Sequence, residues 1–260
     1  MPSLSEIVYS EAATITAVQD YYQFLTKMYL ENSAIIHPPE GGWPSITTES
    51  LRGLGKTEKV ISLLRRLPYI GRWKGHGAAY TEFADWESDT KSLLQGKSNA
   101  LELILCSEIF GYTDHIPNSV VGLTSGGRDN PIFLLDTQLG IIYWYDCPWD
   151  HTVQPLREEV SDDPYDYAPE NEAEWRAECR AWAIADFFEI LKNEFKKLNF
   201  VPLSPEEVTD VYSENSPGLI VMVQDIYHNH GWPNLEQYNK QECLEAVQAA
   251  VEEHEASEQQ

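Results

Sequence analysis

Two histidines near the C-terminal end of the chain have the spacing of a metal-binding pair. His228 and His230 form an H-x-H arrangement, and Asp225 lies three residues before the first of them. On a strand such a pair points to one side, and imidazole and carboxylate ligands suit zinc or iron. A further ligand would have to come from elsewhere, for example His37. The alternative is structural, because histidines before a turn also cap helices or bond the backbone.

Five aspartates in aromatic or turn surroundings are candidates for acid–base chemistry. They are Asp85, Asp114, Asp136, Asp146 and Asp150. Catalysis by a carboxyl pair requires that burial raise the pKa of one member. A chain with 42 Asp and Glu residues contains pairs by chance, so their presence selects no reaction. For Asp136, which opens an Asp-Thr-x-x-Gly turn, we expect a local hydrogen bond that orders the turn.

The motifs that usually mark a nucleophile or a phosphate-binding loop are missing. The sequence has no Gly-x-Ser-x-Gly elbow, and no Gly-Lys-Ser/Thr follows the Ser-Gly-Gly at 125–127. The four cysteines form no Cys-x-x-Cys pair, which leaves a zinc ribbon or a thioredoxin-type site without support. Cys106 and Cys147 could lie near His115 or His151, but small buried thiols are the default interpretation.

Large aromatic side chains in loops and at strand ends are the candidates for a binding surface, because Tyr and Trp dominate the energetics of interfaces. The predicted contact residues are Trp43, Trp73, Tyr80, Trp86, Tyr143, Trp144, Tyr145 and Trp149. The competing interpretation places most of them in the core, where large aromatic rings bury much area.

The charge balance restricts the class of partner. The chain has 42 acidic and 18 basic residues, a formal net charge of −24. Phosphate backbones and anionic headgroups repel such a surface, and the small basic groups at 65–74 and 192–197 are no patch for nucleic acid. No apolar run approaches the roughly 18 residues of a membrane span, and residues 1–10 are unlike a signal peptide. We predict a basic protein partner, no nucleic acid, no membrane, and a reducing, cytoplasmic compartment.

Helical patterns bracket a central group of strands. Apolar residues recur at three- or four-residue spacing in 14–32, 48–67, 85–94, 172–198 and 239–253. Gly53 and Gly55 divide the second of these segments, and Thr57 is the predicted N-cap of its second part. Strands are predicted at 101–106, 120–123, 132–136 and 141–145. The apolar run 219–227 suits either a strand or a helix.

The order of these elements predicts the fold class. Helices, then strands, then helices indicate an α+β fold with a central, mainly antiparallel sheet flanked by helices. We expect one domain over 1–260, with a helical C-terminal extension. The acidic, proline-containing segment 150–174 predicts a long surface excursion and a second contact surface for a partner.

A short motif occurs twice. Gly-Trp-Pro lies at 42–44 and again at 231–233, each time after a histidine and near a predicted helix start. Tryptophan fills a core or groove, and proline suits the first turn of a helix. We predict paired structural devices for entering helices; the alternative is a repeated ligand site.

One stretch of the chain resembles a known family. The segment 130–146, NPIFLLDTQLGIIYWYD, resembles the core hairpin of the SUKH superfamily, the Smi/Knr-like domain, and the Phe-rich AWAIADFFEIL at 181–191 is similar to the helix that follows it. The chain also resembles fungal proteins of unassigned function with stretches akin to LLRRLPYI and HGWPNLEQYNKQECL. The resemblance implies an α+β domain that acts by protein binding, in toxin immunity or in cell-wall and signalling regulation. It supplies no catalytic residues.

These observations predict a non-enzymatic protein-interaction module of SUKH-like fold, regulatory or immunity-like in role. Catalytic residues, a bound metal and a cofactor are not part of this prediction. The alternative is an enzyme with an aromatic-lined pocket and a His/Asp site, with metal-dependent chemistry as one form of it. A third hypothesis is a module that binds a small molecule without transforming it.

Overall fold

Helices occupy both ends of the described chain, and antiparallel strands lie between them. The computed structural model describes residues 2–126, 130–148, 157–213 and 217–258. Its α-helices are Glu11–Met28 (α1), Glu58–Arg66 (α2), Trp86–Leu94 (α3), Ala100–Ser107 (α4), Pro164–Tyr167 (α5), Glu170–Ala177 (α6), Ile184–Lys196 (α7), Pro217–Asn229 (α8) and Lys240–Glu258 (α9). Its strands are Ile35–Ile36 (β1), Tyr69–Ile70 (β2), Val120–Gly122 (β3), Ile132–Asp136 (β4), Ile141–Tyr145 (β5), Cys179–Ala183 (β6), Phe200–Ser204 (β7) and Glu207–Asp210 (β8). The predicted α+β class is confirmed.

The central sheet is antiparallel and has the strand order β3-β4-β5-β6. β4 and β5 form its hairpin, with Ile132 opposite Tyr145 and Asp136 opposite Ile141. The predicted strands 132–136 and 141–145 therefore match the structure at both ends. Two smaller antiparallel pairs, β1-β2 and β7-β8, lie outside this sheet.

Both faces of the central sheet are buried at β3, β4 and β5, because their side chains alternate between two apolar clusters. On one face Phe133 and Trp144 pack against Phe187 of α7, with ring centroids 5.0 and 6.1 Å from it. On the other face Tyr143 packs against Trp175 of α6, with ring centroids 5.1 Å apart. α1 in turn packs against α7. The sheet is therefore the middle layer of the described fold.

Residues 101–106 belong to α4, and their prediction as a strand was wrong. Asn99 and Glu102 form a reciprocal capping box, in which the Glu102 N–H donates to Asn99 Oδ1 at 3.0 Å and the Asn99 N–H donates to Glu102 Oε2 at 3.2 Å. Such a box satisfies backbone donors that only a helix start leaves free. The local cap therefore outweighs the apolar run that suggested a strand.

The predicted helix 172–198 is divided by a strand. α6 ends at Ala177, β6 pairs with β5 from Cys179 to Ala183, and α7 begins at Ile184. The free edge of β5 offers backbone groups that residues 179–183 satisfy, and this non-local pairing overrides the helical spacing. The undecided run 219–227 is helical, as part of α8.

The described part of the predicted acidic excursion contacts the rest of the fold. The Val160 N–H donates to Ala181 O at 2.9 Å, and the Leu4 N–H donates to Asp162 Oδ2 at 2.8 Å. Asp163 caps α5 through the Tyr165 N–H. Residues 149–156 lie outside the described ranges.

Both Gly-Trp-Pro motifs close a helix end and do not start a helix. The Trp43 indole N–H donates to Leu67 O, the C-cap of α2, at 2.8 Å. The Trp232 indole N–H donates to Phe195 O, in the last turn of α7, at 3.0 Å. Carbonyls at the end of a helix lack the usual helical donors, so a buried indole N–H is a suitable partner. The two motifs perform the same structural task at two helices.

Replacing Trp232 by phenylalanine is expected to lower the free energy of unfolding by about 1–2 kcal/mol, because the ring remains apolar while its buried hydrogen bond is lost. Urea denaturation followed by circular dichroism measures the change. Trp73→Phe is the control, since this side chain is 74% exposed and should leave the stability unchanged. Equal stability of the Trp232 variant and the wild type would contradict the capping role.

Candidate functional site

The predicted aromatic contact residues are divided between the core and the rim of the structure. Four of them are buried in the core: Trp43, Trp86, Tyr143 and Trp144. Trp73 is exposed, and Tyr80 and Tyr145 are half-buried. Trp149 lies outside the described residues. The described members therefore do not form one exposed aromatic surface, because four of them are packed inside the fold.

The predicted histidine pair has structural partners at the end of α8. His228 Nδ1 lies 3.3 Å from Trp232 O, and His230 Nδ1 lies 2.7 Å from Ile226 O. These backbone contacts correspond to the structural alternative for the pair. His37 lines a separate groove along α1. Within the described ranges, no group of three or more His, Cys, Asp or Glu side chains is arranged to hold a metal ion.

Asp136 orders its turn, as its sequence context predicts. Its Oδ1 accepts the N–H groups of Gln138 and Leu139 at 2.8 and 3.1 Å. Its Oδ2 accepts from Arg176 Nη1 at 3.1 Å. The carboxylate is therefore engaged in the structure through both oxygens.

The first candidate site is a cavity of about 120 Å³ between the loop 70–76, the N-terminal end of α3 and the turn between β7 and β8. We call it the acidic pocket. Its ionisable lining residues are Arg72, His76, Glu82, Asp85, Asp89 and Glu206, and Trp73 lies at its rim. Four carboxylates and one guanidinium leave an excess of negative charge in this pocket.

Close backbone contacts fix the loop that forms one wall of this pocket. Gly75 adopts a φ of +144°, and a Cβ there would lie 2.7 Å from Pro205 O. Because glycine has no Cβ, the loop can approach the β7–β8 turn, and the His76 N–H donates to Pro205 O at 2.8 Å. The Tyr29 hydroxyl donates to His76 O at 2.5 Å. The position of His76 is thereby set by α1 and by the turn.

The opposite wall contains two buried carboxylates on α3. Asp85 is the N-cap of the helix; its Oδ1 accepts the Ser88 N–H at 3.1 Å and its Oδ2 accepts the Arg72 N–H at 3.2 Å. Asp89 lies one turn later and forms an ion pair with the Arg72 guanidinium. Burial raises the pKa of Asp85, and it raises the pKa of Asp89 to about 6 although Arg72 opposes this. The pocket therefore holds negative charge that the protein compensates only in part.

Three further side chains line the acidic pocket: Glu82, Glu206 and His76. The Glu82 and Glu206 carboxylates form no ion pair with any described residue. His76 Nδ1 is buried and has no hydrogen-bond partner among the described residues. Burial lowers the pKa of His76, so the ring is neutral at neutral pH and one of its nitrogens accepts hydrogen bonds. Carboxylates and imidazole nitrogen are acceptors for an ammonium or guanidinium group, and the exposed Trp73 ring offers a face to the same cation.

Sequence reasoning found part of this site. It selected Trp73 as a contact residue and Asp85 as a candidate acid, but not Asp89, His76 or Glu206. Asp85 and Asp89 are four residues apart, which places them on one face of a helix, so their spacing was a usable signal. Glu206 comes from a distant turn, for which no local pattern exists.

A second cavity, of about 290 Å³, brings together three of the predicted contact residues. We call it the aromatic cavity. Tyr80, Trp144, Tyr145 and Phe200 supply its aromatic lining, and Asp146 and Asp210 its carboxylates. Trp144 is buried between this cavity and the core, so its ring serves both.

The comparisons with known proteins give no match: no protein-family model, no curated protein and no solved structure matches this chain. The resemblance to the SUKH superfamily therefore stays a prediction. Across the ranges described by the structure, no helix combines the length and the apolar character needed to cross a membrane.

Proposed function

We propose that this protein is a non-enzymatic interaction module that binds a basic segment of another protein through the acidic pocket. The observation that carries the proposal is the uncompensated charge of this pocket. Four carboxylates share one guanidinium, and two of them, Glu82 and Glu206, have no ion-pair partner within the described ranges. A lysine or arginine side chain from a partner would supply the missing positive charge.

The charge of the whole chain supports the same partner class. A net charge of −24 attracts basic surfaces over several ångströms and raises the rate of encounter at low salt. At the pocket, the exposed Trp73 ring would add a cation–π contact of about 0.5–1 kcal/mol. The resemblance to SUKH domains supports a regulatory or immunity-like role in the cytoplasm, which is part of this proposal.

The acidic pocket is a better candidate for the contact than the segment 157–174. Asp162 and Asp163 already accept backbone N–H groups, from Leu4 and Tyr165 respectively. Their charges are thereby partly satisfied within the fold, whereas the Glu82 and Glu206 carboxylates line a cavity and accept no hydrogen bond from the described residues.

An enzyme with a His/Asp site is the second candidate function, and one observation favours it. Burial raises the pKa of Asp89 to about 6, close to the pH at which a carboxyl exchanges protons efficiently, and the neutral His76 lines the same pocket. The two residues differ from the His228 and Asp225 that the sequence suggested. A reaction that disappears in both His76→Gln and Asp89→Asn would favour this candidate over simple binding.

The proposed function is tested with the double variant Glu82→Gln/Glu206→Gln. Binding of a fluorescein-labelled peptide of lysine and glycine, measured by anisotropy at low salt, should weaken about tenfold or more because two charge-assisted contacts are lost. Trp73→Ala should weaken it about threefold. Binding of the same peptide should decline as salt is added.

The matched control is Glu253→Gln/Glu255→Gln, which removes two exposed carboxylates from α9 and leaves the pocket intact. We expect wild-type affinity for this variant. If the two double variants weaken binding equally, the peptide responds only to total charge and the pocket proposal is overturned.

A further inference from the structure

We infer that the aromatic cavity is a second cation site, and that one extended partner segment with basic residues about four positions apart occupies both cavities. This inference rests on the proposed function of the acidic pocket and specifies its partner.

Asp210 gives the aromatic cavity a buried negative charge. Its side chain lines the cavity, and the residue is 5% exposed. Oδ1 accepts the N–H groups of Tyr212 and Ser213 at 3.0 and 2.7 Å. No described Lys or Arg forms an ion pair with Asp210. A buried carboxylate without a counter-ion favours a cationic ligand over a neutral or an anionic one.

The aromatic lining suits the same class of ligand. Trp144 and Phe200 are buried, with ring centroids 6.3 Å apart, and the half-buried Tyr80 and Tyr145 are the more exposed rings of the lining. The Tyr80 hydroxyl is held 2.5 Å from Thr209 Oγ1 on β8. Aromatic faces attract ammonium and guanidinium groups and cover the methylene stem that carries them. The combination fits a lysine or arginine side chain in extended form.

Two neighbouring chain segments connect the cavities. The His76 N–H donates to Pro205 O and the Tyr80 N–H donates to Val208 O, each at 2.8 Å, so residues 76–80 run beside residues 205–208. The acidic pocket includes His76 and Glu206, and the aromatic cavity includes Tyr80 and Asp210. β8 begins at Glu207, just after Glu206 in the turn, so the span from 206 to 210 is at most about 13 Å, at roughly 3.3 Å per residue. An extended partner segment covers the same distance between residues four positions apart.

Two peptides of identical composition test this inference. One carries two lysines four positions apart in a glycine–serine background, and the other carries them at adjacent positions. Wild-type protein should bind the spaced peptide about tenfold more tightly, because the second contact becomes intramolecular. Asp210→Asn keeps an oxygen for the Tyr212 and Ser213 N–H groups and removes the charge, so it should abolish this preference. Glu253→Gln is the matched control and should retain it.

The outcomes separate this inference from the proposed function. Equal binding of the two peptides by the wild type, or an undiminished preference in Asp210→Asn, would overturn the inference. The acidic-pocket proposal would still hold after either result if Glu82→Gln/Glu206→Gln weakens the binding of both peptides. If the variants of neither cavity weaken binding, both ideas are wrong. If Asp210→Asn lowers the melting temperature, Tyr145→Leu replaces it as the test variant, because Tyr145 is half-buried. Tyr145→Leu should then reduce the preference for the spaced peptide.

Discussion

Replacing Arg176 by alanine is expected to lower the free energy of unfolding by about 3–5 kcal/mol, because the substitution leaves a buried carboxylate without its counter-ion. The side chains of Arg176 and Asp136 are 4% and 1% exposed, and Nη1 lies 3.1 Å from Oδ2. The guanidinium also bonds Glu172 at 2.8 Å and lies 5.1 Å from the centre of the Tyr143 ring. This group joins α6 to the β4–β5 turn.

Urea denaturation of four variants measures this effect. Arg66→Ala is the control, since its ion pair with Glu11 is largely exposed on the arginine side and contributes about 0–1 kcal/mol. The double variant Arg176→Met/Asp136→Asn should be more stable than Arg176→Met alone, because it removes both charges and keeps the Oδ1 acceptor of the turn. Similar losses for Arg176→Ala and Arg66→Ala would contradict a buried network.

Replacing Asp89 by asparagine is expected to raise the free energy of unfolding at neutral pH by roughly 1–3 kcal/mol, whereas Arg176→Ala lowers it. Burial raises the pKa of Asp89 to about 6 in the folded chain, whereas an unfolded aspartate titrates near 3.9. Between these values the folded state binds more protons than the unfolded state. The free energy of unfolding therefore falls as the pH rises from about 4 to 6.

The difference in the free energy of unfolding between Asp89→Asn and the wild type isolates the contribution of the Asp89 charge. It should be small below pH 4, grow between pH 4 and 6, and remain constant above that range, as followed by denaturation at each pH. Glu253→Gln should follow the wild type throughout. A less stable Asp89→Asn at neutral pH would show that the ion pair with Arg72 outweighs the cost of burial. Stabilisation together with weaker peptide binding would mark Asp89 as a residue whose charge is kept for function.

The parts of the fold that sequence reasoning found are those with local signals. The β4–β5 hairpin has two apolar runs separated by a turn that Asp136 orders through its own neighbours. The N-cap of α2, Thr57, accepts the Val60 N–H as its position predicts. For residues 101–106 two local signals conflict, an apolar run typical of a strand and the Asn99–Glu102 box of a helix start, and the box decides.

The errors and omissions arose where distant residues decide the structure. β6 forms because β5 has a free edge, which the spacing of residues 172–198 does not reveal. Four of the predicted contact aromatics are buried because residues distant in the chain pack against them, as Tyr69 does against Trp43 and Trp175 against Tyr143. Side-chain type alone does not distinguish a buried tryptophan from an exposed one, since both interpretations follow from the same large apolar area.

The sequence by itself determined the α+β class, the central hairpin, the turn at Asp136 and the excess of acidic over basic residues. These properties depend on periodicity, on contacts between near neighbours and on a sum over residues. Only the tertiary structure decided where the charge is uncompensated. Glu206 reaches the cavity that Glu82 lines because a close approach at Gly75 brings the loop 70–76 to the β7–β8 turn, more than a hundred residues away along the chain. Tyr80 and Asp210 meet at the other cavity for the same reason: long-range backbone pairing sets which side chains share a space.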